Sequence, residues 1–485
     1  MSTKTLAQVA QHKSADSCWV IIQNKVYDVT DFLPDHPGGA EIILKYAGRD
    51  ATSVYEPIHP PDALEKNLPL SKHLGPLSAD AVEAMEKQRE SAKKTQDEIR
   101  VEQARKRMPP LIRILNLTDM ENVARQILSH KAWAYYSSAS DDGITNIENA
   151  RAFNRFFFRA RVMRPVSKCD PSTTILGFKS RIPVFVSGAA LAKLGHPDGE
   201  INITKGASKG GIIQMVSSNA SLSPNAIMDA ADQYQTLFFQ LYKHRNDEVA
   251  EKRVRDIERL GYKAIFLTVD AIVAGNRERD VRSPWILEEQ ENGPVYFDVL
   301  KGTEQAGEVN IFGTAGALIA NDDRDMTWEK TIPWLRSMTK LPIVIKGVQC
   351  VEDAVLAAEA CCDGILLSNH GGRQLEYSLP PLEVLYSLQQ QRPDVFQRLE
   401  VYIDGGIRRG TDVVKAVCLG AKAVGLGRPF LYAQSAYGAA GVAKVIEILQ
   451  REIVTAMRLL GASTVKDLRP EMIQRADWQP VLSKL

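Results

Sequence analysis

The chain has 485 residues, more than one ordinary domain needs, although a single barrel domain of about 250 residues fits within that length. Its 60 Lys and Arg residues nearly cancel its 59 Asp and Glu residues, which excludes the basic surplus that sequence-independent nucleic-acid binding requires. Hydrophobic residues make up 44%, and no apolar run reaches the roughly 18 residues of a membrane span. We therefore expect a soluble, folded protein with neither a nucleic-acid partner nor a membrane span.

The first region, residues 1–77, has a mixed α+β pattern and contains two histidines in rigid loops. His36 lies in a Pro-Asp-His-Pro-Gly-Gly stretch, and His59 follows 23 residues later between prolines. Two imidazoles held in this way can face one another across a flat ligand. Zinc would need two further ligands, and the six cysteines show no metal-ligand spacing. The pair therefore predicts a haem iron with His36 and His59 as its ligands, against the alternative of two structural histidines.

A charged segment separates this region from the rest of the chain. Between residues 83 and 107, 14 of the 25 residues are charged, and Pro109-Pro110 ends the run. Such a composition is typical of a solvated helix or a linker. We predict a linker over residues 78–110, followed by one large domain over residues 111–485.

The large domain shows eight short apolar runs separated by helical patterns. The predicted strands begin with 184–186, 213–216, 237–241 and 264–269, and continue with 342–345, 364–367, 401–403 and 423–426. Strands that are apolar throughout are covered on both faces, as in a parallel sheet flanked by helices. Eight such units predict a (β/α)8 TIM barrel, with a doubly wound open sheet as the alternative.

Polar residues follow every predicted strand, and in a barrel the carboxyl ends of the strands carry the chemistry. They are Ser187, Ser217, Gln240 with Tyr242, Thr268 with Asp270, Lys346, Asn369 with His370, Asp404, and Gly427 with Arg428. The last two strands lead into glycine- and arginine-rich loops, in which Arg408 and Arg428 are expected to bind phosphate. The alternative is that these glycines only form tight turns.

His370 and Arg373 lie three residues apart in a flexible loop and suggest acid–base chemistry. A histidine has the pKa of a general base, and Asp270 would orient its ring. Arg373 and Arg277 each offer a fork suited to a carboxylate. These residues predict proton abstraction from a small anionic acid, with a phosphate-bearing nucleotide cofactor as the electron acceptor.

Longer motifs resemble two known families. Residues 2–77 resemble a cytochrome b5 domain, through Cys18-Trp19-Val20, the Tyr-Asp-Val-Thr stretch at 27–30, the HPGG at 36–39 and His59. Residues 111–478 resemble the FMN-dependent α-hydroxy acid oxidases and dehydrogenases, through 134–138, 239–242, 267–270, 345–347, SNHGGRQL at 368–375 and 404–413. The order of the two modules resembles the L-lactate dehydrogenase (cytochrome) family.

The resemblance implies an enzyme that oxidises an L-2-hydroxy acid, lactate or a similar acid, to the 2-oxo acid. Electrons would pass through FMN and singly through haem b to an acceptor such as cytochrome c, in a homotetramer. His370, Asp270, Tyr242 and Arg373 would be catalytic, and Tyr135, Tyr242, Arg277, Arg373 and Asn219 would contact the substrate. FMN would be held by Ser187, Gly188, Ala189, Ala190, Ser217, Gln240, Thr268, Lys346, Asp404, Gly405, Gly406, Ile407, Arg408, Gly427 and Arg428.

Three alternatives stay open. The first is a peroxisomal FMN-dependent oxidase that reduces oxygen to hydrogen peroxide. The presence of His370, Asp270 and Arg373 disfavours the second, an electron-transfer protein without catalysis, and the paired arginines disfavour the third, an FMN-dependent isomerase.

Two local features bear on substrate and location. Asn219 replaces the apolar residue expected of a lactate enzyme, and a polar group there disfavours a plain methyl substituent. The chain ends in Ser483-Lys484-Leu485, the peroxisomal import signal. We therefore expect a peroxisomal protein, with the cytoplasm or the mitochondrial intermembrane space as alternatives, although cytochrome c would not be available in a peroxisome.

Overall fold

A computed structural model describes residues 3–36, 39–59, 63–91, 93–294 and 313–476. These residues form a small N-terminal domain built on one antiparallel sheet and a large domain built on a closed barrel. Within the described ranges, no helix combines the length and the apolar character of a membrane span.

The N-terminal domain is organised by a four-stranded antiparallel sheet, which agrees with the mixed α+β pattern predicted for residues 1–77. The strands are, in sheet order, β1 (Lys13–Ser14), β2 (Ser17–Ile22), β3 (Lys25–Asp28) and β4 (His73–Pro76). Four short helices accompany them: Leu6–Ala10, Ala40–Leu44, Thr52–Tyr55 and Ala63–Asn67. Alternate residues of β2 face opposite sides, so Val20 packs with the helices that carry the loop histidines and Ile21 packs with the N-terminal helix.

The predicted linker contains two helices, Ala79–Ser91 and Gln96–Lys106, which pack on different domains. Met85 of the first joins the N-terminal core, and Arg89 forms a 2.6 Å ion pair with Asp50. In the second, the Asp97 carboxylate accepts a 2.8 Å hydrogen bond from the backbone N–H of His130 in the large domain. The change of partner takes place between these helices. The boundaries at residues 77 and 110 stay a prediction.

Three short strands precede the barrel: β5 (Phe156–Phe158), β6 (Thr173–Ile175) and β7 (Phe178–Ser180). The barrel strands follow as β8 (Val184–Val186), β9 (Ile213–Ser217), β10 (Leu237–Leu241), β11 (Ile265–Thr268), β12 (Ile343–Val348), β13 (Gly364–Leu367), β14 (Glu400–Asp404) and β15 (Ala423–Leu426). They are parallel and close in chain order, with β15 pairing with β8. All eight predicted strands and the barrel are therefore confirmed. A last strand, β16 (Ile473–Arg475), pairs with β5.

Helices surround the barrel. Before the first barrel strand they are Leu117–Ile127, His130–Ser137 and Ile144–Arg151. After it they are Glu200–Gly210, Pro224–Asp229, Asp247–Leu260, Glu278–Asn292, Gly313–Ile319, Trp328–Met338, Val351–Glu359, Pro381–Gln391, Val395–Arg398, Gly410–Cys418 and Arg428–Leu460. The last helix is interrupted at Tyr437 and Gly438, where the backbone is not helical.

The barrel interior is filled by large apolar side chains and closed at one end. Phe185, Phe238, Phe266 and Tyr402 are fully buried inside it. The hairpin formed by β6 and β7 covers the amino end of the strands, where the ring of Phe178 lies 6.0 Å from that of Phe238. Of the two ends of the described barrel, the carboxyl end is the one that this hairpin leaves uncovered.

Two buried glycines let helix Glu200–Gly210 pack closely against helix Arg428–Leu460. A Cβ atom on Gly206 would lie 2.4 Å from Cβ of Val442, and one on Gly210 would lie 2.3 Å from Cδ1 of Ile446. Contacts this short force the helices apart.

We expect Gly206→Ala to lower the free energy of unfolding of the barrel by about 1–3 kcal/mol, because the added methyl overpacks this helix interface. Urea unfolding followed by tryptophan fluorescence measures the change. Lys209→Ala, at an exposed position of the same helix, is the matched control and should stay within about 0.5 kcal/mol of the parent chain. An unchanged transition in Gly206→Ala would contradict this packing.

Candidate active site and histidine pair

A cavity of about 540 Å³ opens at the carboxyl end of the barrel, within the size range of ligand pockets. Residues from the ends of all eight strands line it. Of the predicted substrate, cofactor and catalytic residues of the barrel, all except Thr268 and Asp270 line the cavity. Asp270 lies beneath it, and Thr268 accepts a 3.0 Å hydrogen bond from Nε2 of Gln240. The strand-end pattern therefore marks one continuous site.

Asp270, His370 and Lys346 form a compact charged group under the cavity. Oδ1 of Asp270 lies 2.9 Å from Nδ1 of His370, and Oδ2 lies 3.3 Å from Nζ of Lys346. The carboxylate is fully buried, and the lysine side chain is 4% exposed. The other ring nitrogen of His370, Nε2, faces the cavity, where the hydroxyl of Tyr242 lies 3.4 Å away.

This arrangement fixes the protonation of the group. Burial, and then the positive charge of Lys346, lower the pKa of His370 to about 4, so the ring is neutral at pH 7. Burial opposes the ionisation of Asp270, but Lys346 and His370 outweigh it and hold the pKa of the carboxyl below its usual range. An ionised Asp270 can only accept a hydrogen bond, so Nδ1 of His370 carries the proton and donates it in that bond. Nε2 is then unprotonated and able to act as a base.

The loop after β13 aims the imidazole into the cavity by an unusual backbone. His370 itself has a left-handed φ of 56°, and Gly371 and Gly372 continue the turn at 66° and 73°. The Ser368 hydroxyl accepts a 3.0 Å hydrogen bond from the His370 N–H and holds this conformation. A Cβ atom on Gly372 would lie 2.5 Å from the backbone nitrogen of Asn146, so the loop requires glycine there.

Two arginines at the edge of the cavity make their hydrogen bonds to backbone and amide oxygens and not to carboxylates of the described residues. Arg277 donates 3.2 Å and 3.0 Å hydrogen bonds to the Arg373 backbone oxygen and the Gln374 side chain. Arg373 donates to the Tyr135 backbone oxygen, and its guanidinium lies 5.0 Å from the centre of that ring. Among the described residues, neither arginine has a salt bridge, and burial followed by its neighbour Arg373 lowers the pKa of Arg277 to about 10. The two arginines therefore carry positive charge that a bound anion would neutralise.

The glycine- and arginine-rich loops after β14 and β15 form the opposite wall. Arg408 pairs with Glu121 at 2.5 Å and still lines the cavity. The guanidinium of Arg428 donates to the backbone oxygens of Tyr136, Ser138 and Gly371 and to the side chain of Asn146. Arg428 thus joins three loops around the cavity besides lending its charge to it.

Several buried polar atoms along the cavity have no partner among the described residues. They are Oε1 of Gln240, Oδ1 of Asp404 and Nε of Arg373. Ser187 donates a 3.2 Å hydrogen bond to the other carboxyl oxygen of Asp404. Burial raises the pKa of Asp404 above its usual value. Buried polar atoms without partners are costly, so these atoms fit a polar ligand such as FMN, with its hydroxylated chain and its ring amides.

One buried pair escaped the sequence analysis. The side-chain amides of Asn149 and Asn369 hydrogen-bond each other in both directions, at 2.8 Å and 2.7 Å. The pair links the helix Ile144–Arg151 to the residue before His370. Asn369 adjoins the recognised histidine motif, but Asn149 lies in a helix with no motif, so no local signal indicates it.

The predicted haem ligands of the N-terminal domain lie face to face. The ring centres of His36 and His59 are 6.0 Å apart. Two imidazoles on opposite sides of one metal need about this separation, since two bonds of about 2 Å and half a ring on each side add up to it. Nδ1 of each ring lies 3.0–3.1 Å from a backbone oxygen, that of Gly39 or of Tyr55, which leaves both Nε2 atoms free to bind a metal.

The surroundings of this pair suit a haem. The ring of Phe32 lies 5.9 Å from that of His36, and the ring of Tyr55 stacks on His59 at 4.2 Å. In the described ranges, no group of three or more His, Cys, Asp or Glu side chains could hold a metal ion by itself, which argues against a structural zinc site.

Comparisons with known proteins agree with both sites. The FMN-dependent dehydrogenase family matches residues 124–475, and the cytochrome b5-like heme/steroid binding domain matches residues 5–97. The L-lactate dehydrogenase (cytochrome) of Wickerhamomyces anomalus is 45% identical over 96% of this chain and 78% of its own length. A flavocytochrome b2 mutant with pyruvate bound is 42% identical with a TM-score of 0.69, covering 79% of this chain and 92% of that one. The peroxisomal (S)-2-hydroxyacid oxidase of Arabidopsis thaliana is 38% identical over 73% of this chain and 95% of its own length.

These comparisons correct the predicted location. The peroxisomal assignment from Ser483-Lys484-Leu485 is wrong, because the relatives that span 96% of the chain are cytochrome-linked dehydrogenases. The peroxisomal oxidase matches a smaller share of the chain. The mitochondrial intermembrane space, which was the stated alternative, fits a cytochrome-linked enzyme. The three residues themselves lie outside the described part of the chain.

Two glycines of the cavity wall should respond differently to alanine. Gly406 has a φ of 81°, and a Cβ atom there would lie 2.1 Å from the Asn149 backbone oxygen, whereas Gly427 has a φ of −99° and open space around its Cβ position. We expect Gly406→Ala to lower the stability of the flavin-free protein by about 1–3 kcal/mol. Gly427→Ala should leave that stability unchanged and weaken FMN binding, because its methyl would occupy space in the cavity.

Thermal unfolding of the flavin-free variants and titration with FMN measure the two effects. Equal stability losses in both variants would contradict this distinction.

Proposed function

The chain belongs to the FMN-dependent dehydrogenase family, and on that basis we propose that it oxidises an L-2-hydroxy acid of the lactate type to the 2-oxo acid. A cytochrome is the final electron acceptor. One relative that matches 96% of the chain is an L-lactate dehydrogenase (cytochrome). The observation that carries the proposal is the pair of unneutralised arginines, Arg277 and Arg373, beside a neutral, oriented His370.

The arginines bind and orient the substrate. A carboxylate between Arg277 and Arg373 would give them the counter-ion that the described side chains do not supply, and two guanidinium forks match its geometry. Tyr135 and Tyr242 are buried, which raises the pKa of both phenols, so each remains a hydrogen-bond donor at neutral pH. The substrate is thereby held against the free nitrogen of His370.

His370 takes a proton from the bound acid at Nε2. The imidazolium that results stays paired with the Asp270 carboxylate at Nδ1, which stabilises the positive charge as it forms. Lys346 touches the same carboxylate and keeps it ionised throughout. Conversion of the hydroxy acid to the 2-oxo acid releases two electrons and two protons; His370 takes one proton, and FMN, when bound, would accept both electrons together with the other proton.

The residues that would hold FMN divide by chemistry. Gln240 and Asp404 offer free oxygen atoms to hydroxyl and amide donors, and Arg408 and Arg428 bring positive charge to the loops proposed for the phosphate. Lys346 lines the same cavity, where its charge favours a reduced, anionic flavin. The small residues from Ser187 to Ala190 allow a flat ring to approach the backbone.

His36 and His59 would ligate haem b through their free Nε2 atoms. Hydrogen bonding at Nδ1 orients both rings and makes them better ligands. When bound, haem passes electrons one at a time to the cytochrome.

Asn219 is the residue that we propose to read the substrate side chain. It lines the cavity, and no described residue hydrogen-bonds its side-chain amide. A free amide can bind a polar group on the acid, whereas a methyl group would leave it unpaired. Acids with a polar side chain therefore belong beside lactate in any substrate test.

The proposal includes a homotetramer and three segments of chain, with boundaries at residues 77 and 110. Exposed apolar side chains support an oligomer, because a patch of such side chains is usually covered by a partner; they are Val273, Leu375, Tyr377 and Leu379.

The alternative function, an oxidase that uses oxygen, is less well supported, since its relatives match the chain less completely.

We expect anaerobic mixing with L-lactate to bleach the flavin first and to reduce the haem afterwards. His370→Gln should slow flavin bleaching about 10²- to 10⁴-fold, the usual contribution of a general base. His244→Gln, outside the cavity, is the matched control. Rapid-scan absorbance follows both cofactors, with a panel of L-2-hydroxy acids to rank substrates. If no acid bleaches the flavin of the parent protein, the proposed function is wrong.

The pH dependence of flavin bleaching should report His370. The base must be unprotonated, and its pKa is lowered to about 4, so the rate should be constant near neutral pH and fall as pH drops through about 4. Lys346→Met removes a nearby positive charge, which raises the pKa of His370 and moves this fall to higher pH. Lys415→Met, a half-buried lysine outside the cavity, should leave it in place. An acid limb that does not move in Lys346→Met would contradict the assignment.

A further inference from the structure

The loop after β9 touches the N-terminal domain close to a predicted haem ligand. Oγ of Ser221 donates a 3.2 Å hydrogen bond to the backbone oxygen of Pro57, two residues before His59. Ser221 is fully buried, so this bond is shielded from water. The contact therefore lies close in sequence to both proposed cofactor sites. Pro57 is two residues from His59, and Ser217 and Asn219, in the same loop as Ser221, line the flavin cavity.

The barrel side of this contact is rigidly held. Oε1 of Glu200, a buried carboxyl group, accepts hydrogen bonds from the backbone nitrogens of Ala192 at 3.1 Å and Ser221 at 2.9 Å. The backbone nitrogen of Lys193 donates to the Ser221 hydroxyl at 3.2 Å. One carboxylate therefore ties the loop after β8, which lines the flavin cavity, to the loop that meets the N-terminal domain.

We propose that Ser221, held by Glu200, is the positioning residue that seats the haem domain on the barrel for electron transfer between the two cofactors. This inference rests on the proposed function. The acid supplies two electrons, which leave the flavin site singly; each reduces one ferric haem to ferrous haem, and the external cytochrome reoxidises it. Ser221 takes no part in the chemistry. It sets the fraction of time that the haem domain spends docked on the barrel, close enough to the flavin site for electron transfer.

The test compares Ser221→Ala with Ser223→Ala in the full-length holoprotein. Ser223 lies two residues further along, and its hydroxyl accepts a hydrogen bond from Ala226 N within the barrel alone. On anaerobic mixing with L-lactate, we expect flavin reduction at the parent rate in both variants. Haem reduction should be about 2- to 10-fold slower in Ser221→Ala only, the factor that one hydrogen bond is worth.

A second measurement does not depend on turnover. Hydrogen–deuterium exchange of the resting holoprotein should be faster in the peptide that contains residues 55–59 in Ser221→Ala, and unchanged in Ser223→Ala.

The outcomes separate this inference from the proposed function. Parent-like haem reduction and exchange in Ser221→Ala would overturn it, and so would slower flavin reduction, which would assign the hydroxyl to the catalytic cavity. If no hydroxy acid reduces the parent protein, the proposed function fails, while the exchange experiment still decides whether Ser221 holds the two domains together.

Discussion

The active site depends on one buried anion. Asp270 has no exposed side-chain surface, and a buried carboxylate is stable only when it is paired and hydrogen-bonded. Lys346 and His370 supply that pairing from the ends of two other strands. Because the carboxylate accepts a hydrogen bond from Nδ1–H of His370, the opposite nitrogen is left unprotonated and faces the cavity. The requirement to stabilise a buried charge thus also produces the base.

Shared loops of the barrel connect the two cofactor sites. The loops after β8 and β9 line the flavin cavity, and Glu200 ties them together from behind. The loop after β9 then continues to the N-terminal domain at Pro57. A short stretch of barrel therefore lines the flavin cavity and also contacts the N-terminal domain through a few buried hydrogen bonds.

Sequence patterns predicted the barrel well, because each parallel strand is buried on both faces and appears as a continuous apolar run. They also indicated the cavity residues, since the polar positions directly follow those runs. They could not predict the pairings between distant segments, such as Asn149 with Asn369 or Glu200 with Ser221, which depend on how the loops pack. The charged segment was similar in composition throughout, yet its two helices pack on different domains, a choice made by a few residues such as Met85 and Asp97.

The arginines of the cavity show how structure separates residues that look alike in sequence. Arg428 donates to backbone oxygens of two segments, at Tyr136, Ser138 and Gly371, and to the Asn146 side chain of a third, so its role is partly architectural. Arg277 and Arg373 also donate to backbone or amide oxygens, but they adjoin each other and have no salt bridge among the described residues; the charge of Asp280 stabilises protonated Arg277 without such a contact. Two neighbouring cations of this kind are stabilised most by a ligand that brings a negative charge. This arrangement therefore favours the carboxylate of the proposed substrate on electrostatic grounds.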